Sequence, residues 1–276
     1  MPEETWKTAI TLIGPNKVAL RGICIDELMG RVPFAHVVYL AFKGELPDEA
    51  QGQLMDAILV SSVDHGASPP SALAARTVAS GGADLTAAMA AGITTINRHH
   101  GGAIEGCMRV LLEAVRRQEE SGRDDDAALA TPVRCSVVAD EIVAEYRAAK
   151  RRIPGYGHRL HTNDPRTVRL FALAEELGMA GPYVAMAHAL RAAMKERLGR
   201  DLPMNVDGAI ATMLCEMGFP PELGNAFFAI SRTVGLAAHV HEEKTRMRPM
   251  RRISPTAHEY DGPPERGITQ SARQPQ

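Results

Sequence analysis

A predominantly helical, all-α fold is predicted by three observations on this 276-residue chain. Alanine-rich stretches run from Ser71 to Ala79 and from Ala87 to Ala91. Apolar residues recur at three- and four-residue intervals through Ile104, Met108, Leu111, Leu112 and Val115. Only one short segment, Thr8 to Ile13, concentrates β-branched and apolar side chains. Alanine costs least in a helix and lets helices approach closely, while the second pattern lines one helical face.

Taken in order, Thr8, Ile10, Thr11, Leu12 and Ile13 read as extended. Arg31-Val32-Pro33 marks a turn before Phe34–Phe42, whose composition fits either a short strand or a buried helix. Gly44-Glu45-Leu46-Pro47 is the stop that follows. The apolar run Ala57-Ile58-Leu59-Val60 leads into Asp64-His65-Gly66, and His99-His100-Gly101-Gly102 reads as a turn into the helix at Ile104. Glu119 to Asp126 is expected to be a solvated loop. Helices are expected over Val168–Leu177, Tyr183–Leu198 and Ala209–Met217, the last with Asp207 as its N-cap. The tail from Gly262, rich in Pro, Gln and Arg, is expected to be poorly ordered at its end.

Composition excludes several classes of function. A formal net charge of -2 gives no electrostatic case for nucleic acid or a membrane surface as the main partner. No apolar run reaches the ~20 residues that span a bilayer. The start, MPEETWKTAI, has neither a basic flank nor an apolar signal core. Cys24, Cys107, Cys135 and Cys215 are scattered without metal-type pairing, which fits core thiols in a reducing cytoplasm. The expectation is therefore a cytoplasmic protein without a bound metal.

The polar residues that stand out are few. Gly155-Tyr156-Gly157-His158-Arg159 places an imidazole and a guanidinium beside glycines, where backbone can approach a ligand closely. His100 opens a helix whose free N–H groups, with a neutral imidazole, suit an oxyanion. Asp207 is a candidate base, and His65 a candidate carboxylate or carbonyl contact. Arg166, Arg232 and Arg248 carry the two-pronged donors that di- and tricarboxylates require. Taken singly, His65 also reads as a helix-end cap, Asp207 as an N-cap, and each arginine as a surface charge.

In combination these motifs resemble the citrate synthase superfamily, over nearly the whole chain. Arg21-Gly22, Gly44-Glu45-Leu46-Pro47, Asp64-His65-Gly66, His100-Gly101-Gly102, Gly155-Tyr156-Gly157-His158-Arg159, Asp164-Pro165-Arg166, Asn205-Val206-Asp207 and Arg248-Pro249 occur in the family's order. The resemblance implies a helical large domain from residues 1–101 and 219–276 and a smaller one over 102–218, with substrate between them. It implies catalytic roles for three residues: His100 polarising a thioester carbonyl, Asp207 exchanging the proton at the acetyl carbon, and His158 acting on the keto or alkoxide oxygen. His65, Arg166, Arg232 and Arg248 would hold carboxylates, with Arg248 reaching in from a neighbouring subunit of a homodimer or larger assembly. Gly155, Tyr156 and Gly157 would lie against CoA, which enters as a substrate thioester and not as a permanently bound cofactor.

The chain also departs from the common synthase pattern. It is shorter and begins close to the Arg21-Gly22 segment. Gly66 follows His65, as in the citryl-CoA-cleaving module of ATP citrate lyase, where synthases tend to have glutamate. Arg159-Leu160-His161-Thr162-Asn163 lacks the lysine that synthases often carry there. The resemblance therefore implies a citryl-CoA lyase first, a citrate or methylcitrate synthase second, and a non-catalytic CoA- or citrate-binding regulator third. No Gly-rich phosphate loop is present, so an ATP-using step that forms citryl-CoA would belong to another protein.

Overall fold

The computed structural model describes residues 6–97, 99–121, 131–157, 162–252, 257 and 259–265. The chain begins with a small antiparallel meander of β1 (Thr11–Gly14), β2 (Lys17–Leu20) and β3 (Ile23–Cys24), in which Thr11 pairs with Leu20 and Ala19 with Cys24. Of the extended segment expected at the start, Thr11 to Ile13 lie in β1 while Thr8 and Ile10 precede it, and two further short strands accompany it. Helices then follow: α1 (Ile25–Leu28), α2 (Phe34–Lys43), α3 (Glu49–Ser61), α4 (Pro70–Ser80), α5 (Leu85–Thr94), α6 (Ala103–Ser121), α7 (Thr131–Ala148), α8 (Pro165–Glu176), α9 (Pro182–Leu198), α10 (Val206–Glu216) and α11 (Gly224–Arg246).

Local chemistry sets the helix ends. The ambiguous Phe34 stretch is helix, and it stops at Gly44 in the left-handed conformation, φ 88°. Asp48 and Gln51 form a reciprocal capping box on α3. Asp164 caps α8 with Pro165 in its first turn. Two expectations need correction. The N-cap of α10 is Asn205, whose Oδ1 accepts from the Gly208 N–H at 3.1 Å, and Asp207 lies inside the first helical turn. Glu119 to Ser121 are also not loop: the intervals that bury Ile104, Met108, Leu111 and Val115 carry α6 on to Ser121. The rest of that expected loop, from Gly122, lies outside the described residues, as does the tail after Glu265.

Two packed cores hold these helices. In the main one, Ile104, Cys107, Met108 and Leu111 of α6 meet Ala209, Ile210, Met213 and Leu214 of α10. Val138, Ala139 and Ile142 of α7 meet Met186 and Leu190 of α9 there as well. A smaller core joins Ala75 and Ala79 of α4 to Ala88 of α5 and Leu236 and Val240 of α11. The seam is tight enough to need glycine at position 92, where a Cβ would stand 2.9 Å from both Ser71 O and Leu236 Cδ1. The end of α3 meets the start of α8 through Arg166 and Ser61 O and the middle of α11 through Arg232 and Ser62 O.

Candidate active site

The turn before α6 presents His100. Asn97 and His100 exchange backbone hydrogen bonds at 2.8 Å, and Gly101 adopts φ 68° where a Cβ would collide with the Phe228 ring. The imidazole Nε2 lies 2.8 Å from the hydroxyl of Ser71, a fully buried residue in the first turn of α4. The ring also packs edge-on against Phe228, with centroids 5.7 Å apart. Burial, then the positive Arg232 and then His65, hold the His100 pKa below its ordinary value, so the ring is neutral at pH 7.

Asp207, on α10, stands within electrostatic reach of Arg232, which also acts on His100. Gly155-Tyr156-Gly157 is zipped onto Pro203-Met204-Asn205: Gly157 N donates to Pro203 O at 2.7 Å, Asn205 N to Gly155 O at 3.0 Å, and Asn205 Nδ2 to Gly157 O at 2.9 Å. Close contact is obligatory, since a Cβ on Gly208 would lie 2.4 Å from Gly155 O. Asp207 is half-buried, and burial pushes its carboxyl up to about 6, against the pull of Arg166 and Arg232 and with help from Asp164. A carboxyl poised there can hold or release a proton near neutral pH.

The cations come from three elements. Arg232 is buried in α11, its Nε donating to Ser62 O at 3.0 Å and its guanidinium lying 4.6 Å over the Phe228 ring. Burial draws its pKa down, while Asp64 and Asp207 hold it up. Arg166, in the first turn of α8, is paired with Asp164 at 2.7 Å and reaches toward Ser61 O at 3.4 Å. His65 is exposed on the loop after α3. Asp64 tethers that loop: its Oδ1 lies 3.0 Å from Nε2 of His239, and its Oδ2 accepts from the Gly66 N–H at 2.8 Å. Burial works to raise the Asp64 carboxyl, but Gly66, His239 and the His65 N–H outweigh it and hold the pKa low.

Of the residues singled out by sequence, five therefore assemble: His65, His100, Arg166, Asp207 and Arg232. His158 lies outside the described residues. Arg248 does not join them within this chain. It is exposed, in a segment pinned to the far end of α4 by Met250 N donating to Ser80 O at 2.8 Å, whereas His100 contacts Ser71 at the near end. Nine residues of helix separate those ends by ~14 Å.

Two features escaped the sequence. One is Ser71, a lone serine in an alanine-rich run. The other is a cavity of about 600 Å³ beside Tyr156 and Gly157, ringed by Arg147, Lys150, Arg151, Arg152 and Arg200. Its cations come from the end of α7, the segment between α7 and Gly155 and the loop after α9, a convergence that only the tertiary fold makes.

Residues 48–253 match the family model described as Citrate synthase, C-terminal domain. The chain belongs to the citrate synthase family. It is 31% identical over 213 residues to a citrate synthase of Haloferax volcanii, a match covering 76% of this chain and 51% of that protein. The chain spans about half the length of the curated relatives it matches. The structure of citryl-CoA lyase from Hydrogenobacter thermophilus superposes with a TM-score of 0.84 at 40% identity, covering 96% of this chain and 98% of that one. A citrate synthase from Thermoplasma acidophilum, solved with carboxymethyl coenzyme A and oxaloacetate, shares the fold (TM-score 0.64, 24% identity, 87% of this chain and 59% of that one).

Proposed function

We propose that this citrate synthase-family chain cleaves citryl-CoA to acetyl-CoA and oxaloacetate. The observation that carries the reading is that Asp207, its carboxyl near 6, and a neutral His100 both stand within electrostatic reach of Arg232, with Arg166 also beside Asp207. That is the set a retro-Claisen step requires: a proton donor for carbon, a hydrogen-bond donor for an enolate oxygen, and cations for carboxylates. The likeness to a citryl-CoA lyase over nearly the whole of both chains supports cleavage over condensation.

In the step proposed, His158 takes the proton of the citryl hydroxyl and the alkoxide collapses to the ketone of oxaloacetate. The bond to the neighbouring CH₂ breaks, and its electron pair enters the thioester as an enolate. With Ser71 donating to Nε2, His100 keeps its proton on Nδ1 and offers it to the enolate oxygen, a contact worth roughly 3–4 kcal/mol. Protonated Asp207 then delivers its proton to the carbon, giving the acetyl group. His65, Arg166 and Arg232 hold the carboxylates, and Arg248 serves the pocket of a neighbouring subunit. The phosphates of CoA lie in the basic cavity, whose edge at Tyr156 and Gly157 is hydrogen-bonded to the segment that opens α10. The chain divides into parts 1–101 with 219–276 and 102–218, which close over the substrate.

The 31% identity to a citrate synthase favours condensation of an acyl-CoA with oxaloacetate as the second reading. A binding-only regulator would have no use for a carboxyl raised into the neutral range. Thiol release separates the first two. With acetyl-CoA and oxaloacetate, a synthase liberates free CoA continuously, whereas a lyase liberates little; steady stoichiometric release would overturn the lyase assignment.

A further inference from the structure

We infer that Asp164 is a positioning residue that fixes the Arg166 guanidinium in the substrate's carboxylate pocket. One buried carboxylate does two jobs there. Its Oδ1 accepts from the Arg166 backbone N–H at 3.0 Å, capping α8, and from Arg166 Nε at 3.0 Å; its Oδ2 accepts from Nη2 at 2.7 Å. Pro165, between the two residues, fixes the backbone φ, so cap and fork form as a unit. The Nε–Nη2 edge of Arg166 is thereby committed to the protein, and the side chain is aimed toward Ser61 O at the mouth of the site.

The other arginine of the site is held differently. Arg232 is fixed by a backbone carbonyl and an aromatic face. Of the two, Arg166 is the one whose guanidinium hydrogen bonds go to a carboxylate. Asp164 also offsets the charge of Arg166 beside Arg232, and it stands among the charges that face Asp207. Those are Arg166 and Asp164 from the start of α8 and Arg232 from α11, with the Cys107 thiol approaching from α6.

The inference rests on the reading that Arg166 holds a substrate carboxylate. It is tested in the full chain by Asp164→Asn, which caps a helix as well as aspartate does but forms no ion pair, with Asp164→Ser as a second capping variant. Citrate binding by calorimetry and the KM for citryl-CoA should both weaken by about tenfold or more, with kcat falling less. The pH limb belonging to Asp207 should move to lower pH, because a negative neighbour has gone. In an Arg166→Ala background the same change should cost under about twofold, since the group it positions is absent. Unchanged citrate affinity and pH limb in a folded variant would overturn the inference, as would an equal loss in the Arg166→Ala background. Failure of both capping variants to fold, while Arg166→Ala folds, would reduce Asp164 to a fold element and overturn it too. If wild-type protein catalyses neither direction, the proposed reaction fails while the citrate-binding comparison still decides the role of Asp164.

Discussion

Gly155 and Gly208 touch backbone to backbone: a Cβ on Gly155 would stand 2.8 Å from Gly208 Cα, and one on Gly208 would stand 2.4 Å from Gly155 O. This contact fixes the turn before His158 against the helix that carries Asp207. Gly208→Ala should therefore destabilise the fold by about 2 kcal/mol or more, the order of an overpacked core. It should also reduce turnover even at temperatures where the protein remains folded. Thermal melts and rates measured together check this, and an unchanged melting temperature would mean the seam can open freely.

Asp207 should make stability and rate depend on pH in a defined window. Its folded-state pKa is raised from 3.8 to about 6. The stability it contributes is thus fully present below about pH 4 and is lost as pH rises through about 6. Asp207→Asn should then be more stable than wild type at pH 8, by on the order of 3 kcal/mol as an upper figure, and no more stable at pH 4. Cleavage needs Asp207 protonated and should decline above about pH 6, while proton exchange at the acetyl-CoA methyl needs it ionised and should decline below. Parallel pH limbs in the two assays would contradict the assignment of carbon proton transfer to this residue.

Ser71→Ala tests how His100 is held. The hydroxyl lies 2.8 Å from Nε2 and is fully buried, so alanine fits the space but releases the ring nitrogen. Turnover should fall by about 10²-fold, comparable to removing an oxyanion donor, with CoA affinity nearly unchanged. A loss confined to KM would place Ser71 outside the catalytic step.

Much of this site was legible in the sequence because its residues sit in short polar turns between long apolar helices. Asp64-His65-Gly66 and His100-Gly101 occupy such turns, and Asp164-Pro165-Arg166 caps and opens α8. What escaped was tertiary. Arg147, Lys150, Arg151 and Arg152 read as a solvated basic run until Arg200, from the loop after α9, closes the cavity with them. Asp207 was shifted by two residues from the cap it was assigned because Asn205, an equally good capping residue, takes the hydrogen bond. α7 and α11 carry weak polar punctuation and were not anticipated, although Arg232 in α11 was recognised as a site residue.

Arg248 offers a test across subunits. Its segment is pinned to Ser80 at the end of α4 away from His100, so within one chain it serves no part of the assembled cluster. His158→Ala and Arg248→Ala, each inactive alone, should regain activity when mixed and co-refolded, because one pocket of each hybrid dimer is intact. Recovery should stay at a minority of sites. Confirmed hybrids without any recovery, or a fully active monomer in sedimentation, would remove Arg248 from the pocket.

The central claim is that this site breaks the carbon–carbon bond of citryl-CoA through Asp207. The direct measurement is oxaloacetate and acetyl-CoA formed from citryl-CoA by wild-type protein and by Asp207→Asn, with citrate binding measured on both. The account predicts stoichiometric release of both products by wild type, none above background by the variant, and citrate affinities within a few fold of each other. Intact citryl-CoA after incubation with folded wild-type protein, or turnover by Asp207→Asn near the wild-type rate, would contradict it.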